Sequence, residues 1–255
     1  MDGIIVVNKP AGLTSAKVVY RLRKITGEKK SGHAGTLDPF ATGVLLVCLG
    51  RATKLVERVM NLPKVYRAAA RLDVTSESYD CDRPMRPVDG AAVPTAGNLS
   101  AALQTFEGWI EQIPPRISAV KINGVPAYKR SDEEVSGRLK ARPVHVHWLV
   151  RRSYEWPAIS FELCCSRGTY VRALIRDLGD RLGTGGCLTA LHRVSVGRFD
   201  DAMAKTLDEL AGSPMHDRLI SLDSAERWLD EGHGYIPSPP NNHGESRLQN
   251  FASPS

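Results

Sequence analysis

The chain has 255 residues, and 34 lysines and arginines against 28 aspartates and glutamates give it a formal net charge of +6. Its longest apolar run, Val44–Leu49, is far shorter than the roughly 20 residues that a membrane span needs, and no signal-peptide pattern precedes it. Its five cysteines include no Cys-x-x-Cys pair, and Cys164 and Cys165 stand in an apolar run, as reduced thiols do. These features exclude the secreted, membrane-spanning and structural-zinc classes and predict a cytoplasmic protein.

The first part of the chain alternates short apolar strands with helical segments. Gly3–Asn8 is predicted to be a buried strand, and Thr14 or Ser15 caps a helix that ends at Gly27. Ser31–Gly43 holds three glycines and a proline, which predicts a loop with tight backbone demands. Further predicted elements are the strand Val44–Leu49, the helix Ala52–Met60 and the strand Val65–Val74.

The middle of the chain is less regular. Asn123-Gly124 is a strong hairpin signal after a predicted strand at Ile117–Ile122, and the charged stretch Ser131–Arg142 has no periodic apolar face, which predicts an exposed excursion. The other predicted strands are Val144–Val150, Ala158–Cys165 and Leu188–Val196; the other predicted helices are Ala101–Phe106, one from Thr169 to Gly183, 206–212 and 222–229.

Strands outnumber helices without a regular βαβ order, which predicts an α+β fold on a largely antiparallel or mixed sheet flanked by helices. We expect one domain over residues 1–230. From residue 231 the sequence is rich in Pro, Gly, Ser and Asn and almost free of apolar residues, so residues 231–255 are expected to be a disordered tail.

Among the residues that could carry a reaction, one loop carboxylate stands out. The glycine-rich stretch lacks the nucleotide-binding patterns, and no cluster has metal-ligand spacing, so neither a cofactor nor a metal is expected. His145 and His147 alternate on one strand face, a pattern that is more often structural than metallic. Asp38 lies in the glycine-constrained loop; a loop aspartate more often shapes a turn, but one that is held beside a cation can act as a nucleophile.

Basic residues are concentrated in two clusters, which favours a nucleic-acid partner. The first contains Lys17, Arg21, Arg23, Lys24, Lys29 and Lys30; the second contains Arg151, Arg152, Arg167, Arg172, Arg176 and Arg181. Either cluster alone is typical of a solvated helix face. Two clusters beside the motifs described next favour nucleic-acid binding.

The segment around Asp38 carries a close resemblance. Gly32–Leu45 (GHAGTLDPFATGVL) resembles the signature loop of the TruB family of pseudouridine synthases. Further blocks resemble family blocks in the same order: Asn8–Ser15 (NKPAGLTS), Lys64–Tyr66 (KVY), Pro114–Tyr128 (PPRISAVKINGVPAY), Ser166–Arg172 (SRGTYVR), Asp177–Gly183 (DLGDRLG) and Leu191–Phe199 (LHRVSVGRF). The resemblance covers roughly residues 3–230.

This resemblance implies a pseudouridine-synthase-like catalytic domain that isomerises uridine to pseudouridine in RNA, typically at position 55 in the T loop of tRNA. The implied reaction needs no metal or nucleotide cofactor. The implied partner is the T-arm stem-loop of tRNA, from which the target base has to be extruded. We expect a monomer that needs no protein partner. The charged stretch 129–142 falls where the family carries an insertion that grips the RNA arm, with Lys129, Arg130, Arg138, Lys140 and Arg142 as candidate phosphate contacts.

The resemblance also implies roles for three residues at the reaction centre. Asp38 matches the catalytic aspartate, which attacks either C6 of the base or C1′ of the sugar. Arg172 matches the arginine that pairs with this aspartate. Tyr66 matches the tyrosine that stacks on the target base.

Four further residues match the substrate pocket of the family. Tyr170 and Leu191 match residues that line the base pocket, and His33 matches a histidine that helps to hold the rearranged loop and the flipped nucleotide. Lys9, with Pro10, matches a pair that supports the pocket.

Two departures from the family pattern leave alternatives open. His192 stands where the family usually has arginine. Many bacterial members carry a C-terminal RNA-binding PUA domain, and residues 231–255 are too few and too polar to form one. The alternatives are a member of the related guide-RNA-dependent branch, which relies on a PUA domain and partner proteins, and a tRNA-binding folding chaperone without catalysis.

Overall fold

The computed structural model describes residues 1–135, 137–212, 214, 217–232 and 234–240. Its contacts divide the chain into two compact units. The first unit contains the described residues of Met1–Arg67 and Leu191–Ser238, and the second contains those of Ala68–Ala190 together with Pro239 and Pro240. One catalytic domain over residues 1–230 stays a prediction, and the expected tail beyond residue 240 lies outside the described residues.

The described helices are α1 (Ser15–Thr26), α2 (Val56–Asn61), α3 (Ala96–Gln104), α4 (Asp132–Val135), α5 (Val171–Leu182), α6 (Leu207–Ala211) and α7 (Leu222–Glu231). The described strands are β1 (Gly3–Lys9), β2 (Ser31–His33), β3 (Thr42–Leu49), β4 (Lys64–Arg71), β5 (Val74–Thr75), β6 (Arg86–Pro87), β7 (Gly108–Gln112), β8 (Lys121–Ile122), β9 (Val125–Pro126), β10 (Arg142–Glu155), β11 (Ala158–Cys165), β12 (Cys187–Val196), β13 (Phe199–Asp200) and β14 (Ile220–Ser221). None of these helices is long and apolar enough to cross a membrane.

The first unit is built on a mixed sheet. Its strand order is β14-β1-β3-β12, with β2 beside β3 and β13 beside β12. Strands β3 and β12 run parallel, whereas β1 is antiparallel to both of its neighbours. In the second unit, β10 is antiparallel to both β11 and β7, and β5-β6 and β8-β9 form two small separate sheets. The predicted α+β class with a mixed sheet is confirmed.

Apolar burial on both faces of β1 and β3 explains why these segments are continuous hydrophobic runs. Strands covered on both faces need no polar alternation. In the register of the pair, Ile4 lies opposite Cys48 and Val6 opposite Leu46. These side chains belong to a core that also contains Ala34, Val44, Ala52, Leu55, Val59, Val196, Phe199, Ala225 and Leu229. The core fixes the frame from which the loop between β2 and β3 extends.

Helix α1 follows the sequence prediction at both ends. The Thr14 hydroxyl accepts a hydrogen bond from the Lys17 amide at 3.2 Å, as an N-cap does. Gly27 takes the left-handed conformation (φ 71°), and its amide donates to the Arg23 carbonyl at 2.9 Å. The face with Val18 and Leu22 is buried.

The prediction that the whole of Ser31–Gly43 is a loop is wrong at both ends. Ser31–His33 forms β2, which pairs with the far end of β3, and β3 begins at Thr42. Gly32 and the two polar residues beside it show no alternation of apolar and polar side chains, so the pairing of β2 depends on the neighbouring strand rather than on its own sequence.

The middle of the chain also differs from expectation. The hairpin turn at Asn123-Gly124 is confirmed, with φ of 49° and 81°, but it joins the two-residue strands β8 and β9 rather than a strand from residue 117. The expected lack of an apolar face in Ser131–Arg142 is wrong: Val135 is buried against Ile122 and Ala127. A single turn of helix α4 is enough to bury one valine, and periodicity cannot be detected over so short a segment.

Candidate active site

The Asp38 loop, residues 35–43, is bounded by two glycines with positive φ. Gly35 has φ of 95° and Gly43 has φ of 96°, a region that favours glycine. Gly43 pairs with Arg193 where β3 and β12 run parallel, and a Cβ atom on Gly43 would lie 2.4 Å from the Arg193 carbonyl oxygen. Only glycine therefore allows this approach, which sets where the loop returns to the sheet.

Residues from β1 and α1 hold the main chain on both sides of Asp38. The Ser15 hydroxyl donates to the Leu37 carbonyl at 3.1 Å and accepts from the Leu37 amide at 2.9 Å. The fully buried Lys9 ammonium donates to the carbonyls of Pro10 (2.9 Å), Pro39 (3.1 Å) and Ala41 (2.5 Å). All three protons of a lysine are then used on main-chain acceptors, so Lys9 acts as a clamp on the loop. Its expected role in supporting the substrate pocket stays a prediction.

Arg193 supplies a second buried cation to the same loop. Its Nε donates to the Val44 carbonyl at 2.7 Å, and its terminal nitrogens donate to the carbonyls of Thr36 (3.4 Å) and Gly35 (3.2 Å). The side chain is 1% exposed. Arginine suits this position because its planar guanidinium group can donate hydrogen bonds to several carbonyls in fixed directions. No signal in the sequence indicates this role of Arg193, because the carbonyls that it contacts lie about 150 positions away in the chain.

Asp38 itself lies at the half-buried tip of the loop. Its main-chain carbonyl accepts a hydrogen bond from the Ala41 amide at 3.1 Å, which closes a turn. The residues on either side, Leu37 and Pro39, are both hydrogen-bonded to the scaffold. The main chain that carries the carboxylate is therefore held in a fixed position, which favours attack on a bound substrate.

His33 lies next to this loop at the end of β2. Burial, reinforced by the positive charge of Arg193, lowers the pKa of His33 below its usual value, so the neutral imidazole predominates at pH 7. Its Nδ1 is buried and has no hydrogen-bond partner among the described residues. An unpaired polar atom of this kind is a place where a ligand can bind.

His192, the departure from the family pattern, connects the end of the loop to the turn after β13. Its Nδ1 shares a hydrogen bond of 2.8 Å with the Thr42 hydroxyl, and its Nε2 lies 2.9 Å from an Asp201 carboxylate oxygen. Thr42 is the first residue of β3. His192 therefore contributes a fourth attachment of the loop region, after those of Ser15, Lys9 and Arg193.

Tyr66 and Leu191 are in the same unit as Asp38. Tyr66 lies on β4 and Leu191 on β12, and both are almost completely buried. Their expected roles at the base pocket stay predictions.

In the second unit, Arg172 is buried at the start of α5 and has a carboxylate partner. Its Nε lies 3.3 Å from an Asp80 carboxylate oxygen, and its terminal nitrogens donate to the carbonyls of Ser78 (3.0 Å) and Ile117 (3.1 Å). Asp80 also accepts from the Ser78 hydroxyl at 2.5 Å. These bonds fix the guanidinium plane. Asp38 and Arg172 belong to different units, and their expected pairing stays a prediction.

Tyr170, just before α5, is held through its main chain by Gln112. The Gln112 amide group donates to the Tyr170 carbonyl at 3.1 Å and accepts from the Tyr170 amide at 2.8 Å. The Gln112 side chain, buried at the end of β7, thus takes the place of a β partner. This contact was also missed from the sequence, where a lone glutamine gives no signal.

The expected RNA-gripping stretch 129–142 has both tethered and exposed basic residues. Arg130 donates to the Ile122 carbonyl at 2.8 Å and pairs with Glu134 at 3.0 Å. Arg138, Lys140 and Arg142 are exposed, while the Lys129 side chain lies outside the description. No group of three or more metal-ligand side chains occurs within the described part of the chain.

Comparison with known proteins gives this architecture its class. The family profile "TruB family pseudouridylate synthase (N terminal domain)" matches residues 23–171, and "tRNA pseudouridylate synthase B C-terminal domain" matches residues 172–225. The fold and the Asp38 loop thus define a pseudouridylate synthase. The chain belongs to the TruB family, as its sequence blocks predicted.

Individual relatives agree with this membership. The chain is 43% identical over 227 residues to tRNA pseudouridine synthase B of Mycobacterium tuberculosis, covering 88% of this chain and 76% of the relative. It is 38% identical over 231 residues to the protein of that name from Clostridium acetobutylicum, covering 91% and 80%. Among solved structures, it resembles a chain of a Cbf5-Nop10-Gar1 complex with a TM-score of 0.64 and 30% identity. That match covers 90% of this chain but only 56% of the solved one.

Proposed function

We propose that this protein converts uridine to pseudouridine in tRNA, at position 55 of the T loop, with Asp38 as the nucleophile. The observation that carries the proposal is the clamped loop: Lys9, Ser15 and Arg193 fix the main chain on both sides of one carboxylate. TruB membership supplies the reaction, and the names of the curated relatives supply tRNA as the substrate class.

The proposed reaction exchanges one bond for another within a single nucleotide. The bond between N1 of the base and C1′ of the sugar breaks, the base turns, and a bond forms between C5 and C1′. The proton on C5 is lost and N1 gains one, so no electrons or atoms enter or leave overall. Asp38 forms a transient covalent bond to either C6 or C1′, and leaves when the new glycosidic bond is made.

The target base lies inside a folded RNA loop and has to be extruded before Asp38 can reach it. Unstacking a base costs a few kcal/mol, which contacts in the enzyme pocket recover. We assign base stacking to Tyr66, pocket lining to Tyr170 and Leu191, and contact with the flipped nucleotide to His33. Arg172, already held by Asp80, is assigned the ion pair that aims the Asp38 carboxylate.

Recognition of the T arm is assigned to phosphate contacts from the exposed members of the two basic clusters and of the 129–142 stretch. We propose that the protein acts as a monomer in the cytoplasm without a protein partner.

The direct test is incubation of the purified chain with an unmodified tRNA transcript, followed by mapping of pseudouridine at single-nucleotide resolution. Conversion of uridine 55 by the protein alone is expected. Conversion only when a guide RNA and partner proteins are added would instead identify the guide-dependent branch. RNA refolding without any conversion would identify a folding chaperone.

A further inference from the structure

An exposed indole and two half-buried imidazoles form a ring cluster in the second unit, which we call the Trp109 platform (Trp109, His145 and His147). Trp109 lies on β7 directly opposite His145 on β10, and its side chain is 73% exposed. The two rings meet edge to face, with centroids 5.0 Å apart and planes at 70°. Such a contact holds the indole in place while leaving its face open to solvent.

The two histidines are coupled by a hydrogen bond. His145 Nδ1 and His147 Nδ1 lie 3.1 Å apart, and their ring centroids are 4.5 Å apart. Burial, with a smaller contribution from His145, lowers the pKa of His147 below its usual value, which favours its neutral form at pH 7.

This hydrogen bond requires the two neutral rings to be different tautomers, because one ring must donate from its Nδ1 and the other must accept at its Nδ1. The donating ring then presents Nε2 as an acceptor, and the accepting ring presents Nε2–H as a donor. Among the described residues, neither Nε2 atom nor the Trp109 indole nitrogen has a hydrogen-bond partner.

The platform does not have the composition of a metal site. Two histidine nitrogens about 3 Å apart have a spacing that a metal could bridge, but no group of three ligand side chains is found within the described ranges. An open aromatic face beside one donor and one acceptor matches a nucleobase instead, because every base has a π face and polar edges.

Two arginines lie in the segments next to the platform. The Ser166 amide donates to the His145 carbonyl at 2.8 Å, and the Ser166 hydroxyl accepts from the His145 amide at 2.9 Å. The next residue, Arg167, is exposed. Arg176, on α5, forms an ion pair with Asp177 at 2.7 Å. The open aromatic face, rather than an excess of positive charge, is therefore what favours a nucleobase here.

We propose that the Trp109 platform is a stacking subsite for an unpaired nucleobase of the RNA substrate. The inference rests on the proposed tRNA substrate and adds to it a contact that none of the family blocks contains. The base stacks on the Trp109 indole, and the histidine pair forms hydrogen bonds with the edge of the base.

The test is equilibrium binding of end-labelled tRNA transcript to the full chain and to Trp109→Ala and Trp109→Phe. Removal of one stacking ring is expected to weaken binding about 5- to 100-fold, whereas Phe keeps most of the affinity. Tyr235→Ala is the matched control, because Tyr235 is an exposed aromatic residue of the first unit, and it should leave the affinity unchanged. Equal affinities of Trp109→Ala and wild type would overturn the proposal.

A second measurement tests the class of ligand. A short single-stranded RNA and its duplex are titrated while tryptophan fluorescence is followed. The single strand should quench a signal that Trp109→Phe lacks, and equal quenching by the duplex would refute stacking of an unpaired base. Pseudouridine formation by the wild-type chain is measured in parallel. If pseudouridine forms but the Trp109 substitutions do not change RNA binding, only the platform is refuted. If the substitutions weaken RNA binding but no pseudouridine forms, only the proposed isomerase activity is refuted.

Discussion

The Asp38 loop and the start of α5 hold their charged residues in opposite ways. Around Asp38, two buried cations bond to main-chain carbonyls, and the carboxylate is left half-buried at the tip. At α5, the charged side chain itself is buried, and a carboxylate with two carbonyls fixes the Arg172 guanidinium. In the first arrangement, the cations hold the main chain that carries the functional group. In the second, the charged side chain itself makes the structural bonds. Loss of the Asp38 carboxylate should therefore affect activity rather than stability, whereas loss of the Arg172 guanidinium should affect stability as well as activity.

The largest effect is expected for Asp38→Asn. The amide has nearly the same shape but is not nucleophilic, so the rate of pseudouridine formation should fall at least about 1,000-fold. The main-chain clamp is unchanged, and the midpoint of urea unfolding and the tRNA affinity should stay close to those of wild type. Residual turnover near the wild-type rate would show that another group is the nucleophile.

Arg172→Met tests the second arrangement. Asp80 would remain buried without its cation, and breaking a buried pair in this way costs about 3–5 kcal/mol of unfolding free energy. Urea denaturation measures this loss. Arg71→Met is the control, because the Arg71–Asp73 pair is largely exposed and should be worth less than about 1 kcal/mol. Similar losses from both substitutions would mean that burial does not distinguish the pairs.

Arg193→Met removes a cation from the Asp38 loop without touching Asp38. Three carbonyls lose a donor, and a displacement of the loop by about 1 Å would lower kcat about 100-fold. Arg193→Lys keeps the charge but not the fork, so it should recover part of kcat. We expect KM for tRNA to change little, since Arg193 is buried away from solvent. A change in KM alone would assign Arg193 to RNA binding instead.

The smallest effect concerns pH and His33. Its pKa is lower in the folded chain than in the unfolded one, so the unfolded chain binds the extra proton first as the pH falls. Stability contributed by the neutral ring should therefore decline below about pH 6.5, the ordinary value for histidine. Thermal unfolding at pH 7.5 and pH 5 should show a smaller difference for His33→Gln than for wild type. An equal difference would attribute the acid sensitivity to other groups.

Local sequence signals determined much of the fold. Thr14 and Gly27 bound α1 because caps act within one turn, and Asn123-Gly124 makes its turn because both residues tolerate positive φ. The resemblance also pointed to Asp38 through a contiguous motif. The clamp by Arg193 could not be predicted in this way, because its side chain meets carbonyls far away in the sequence and any residue supplies a carbonyl.

The buried position of Arg193 has a consequence for how the protein is made. The sequence places Asp38 and Lys9 near the start of the chain, but the second cation arrives on β12, after roughly 150 more residues. Contacts of such sequence separation form late and slow folding. A nascent chain whose β12 is still inside the ribosome carries Asp38, the proposed nucleophile, on a loop that lacks one of its two buried cations. We therefore expect the loop to reach its final position only after β12 has been synthesised.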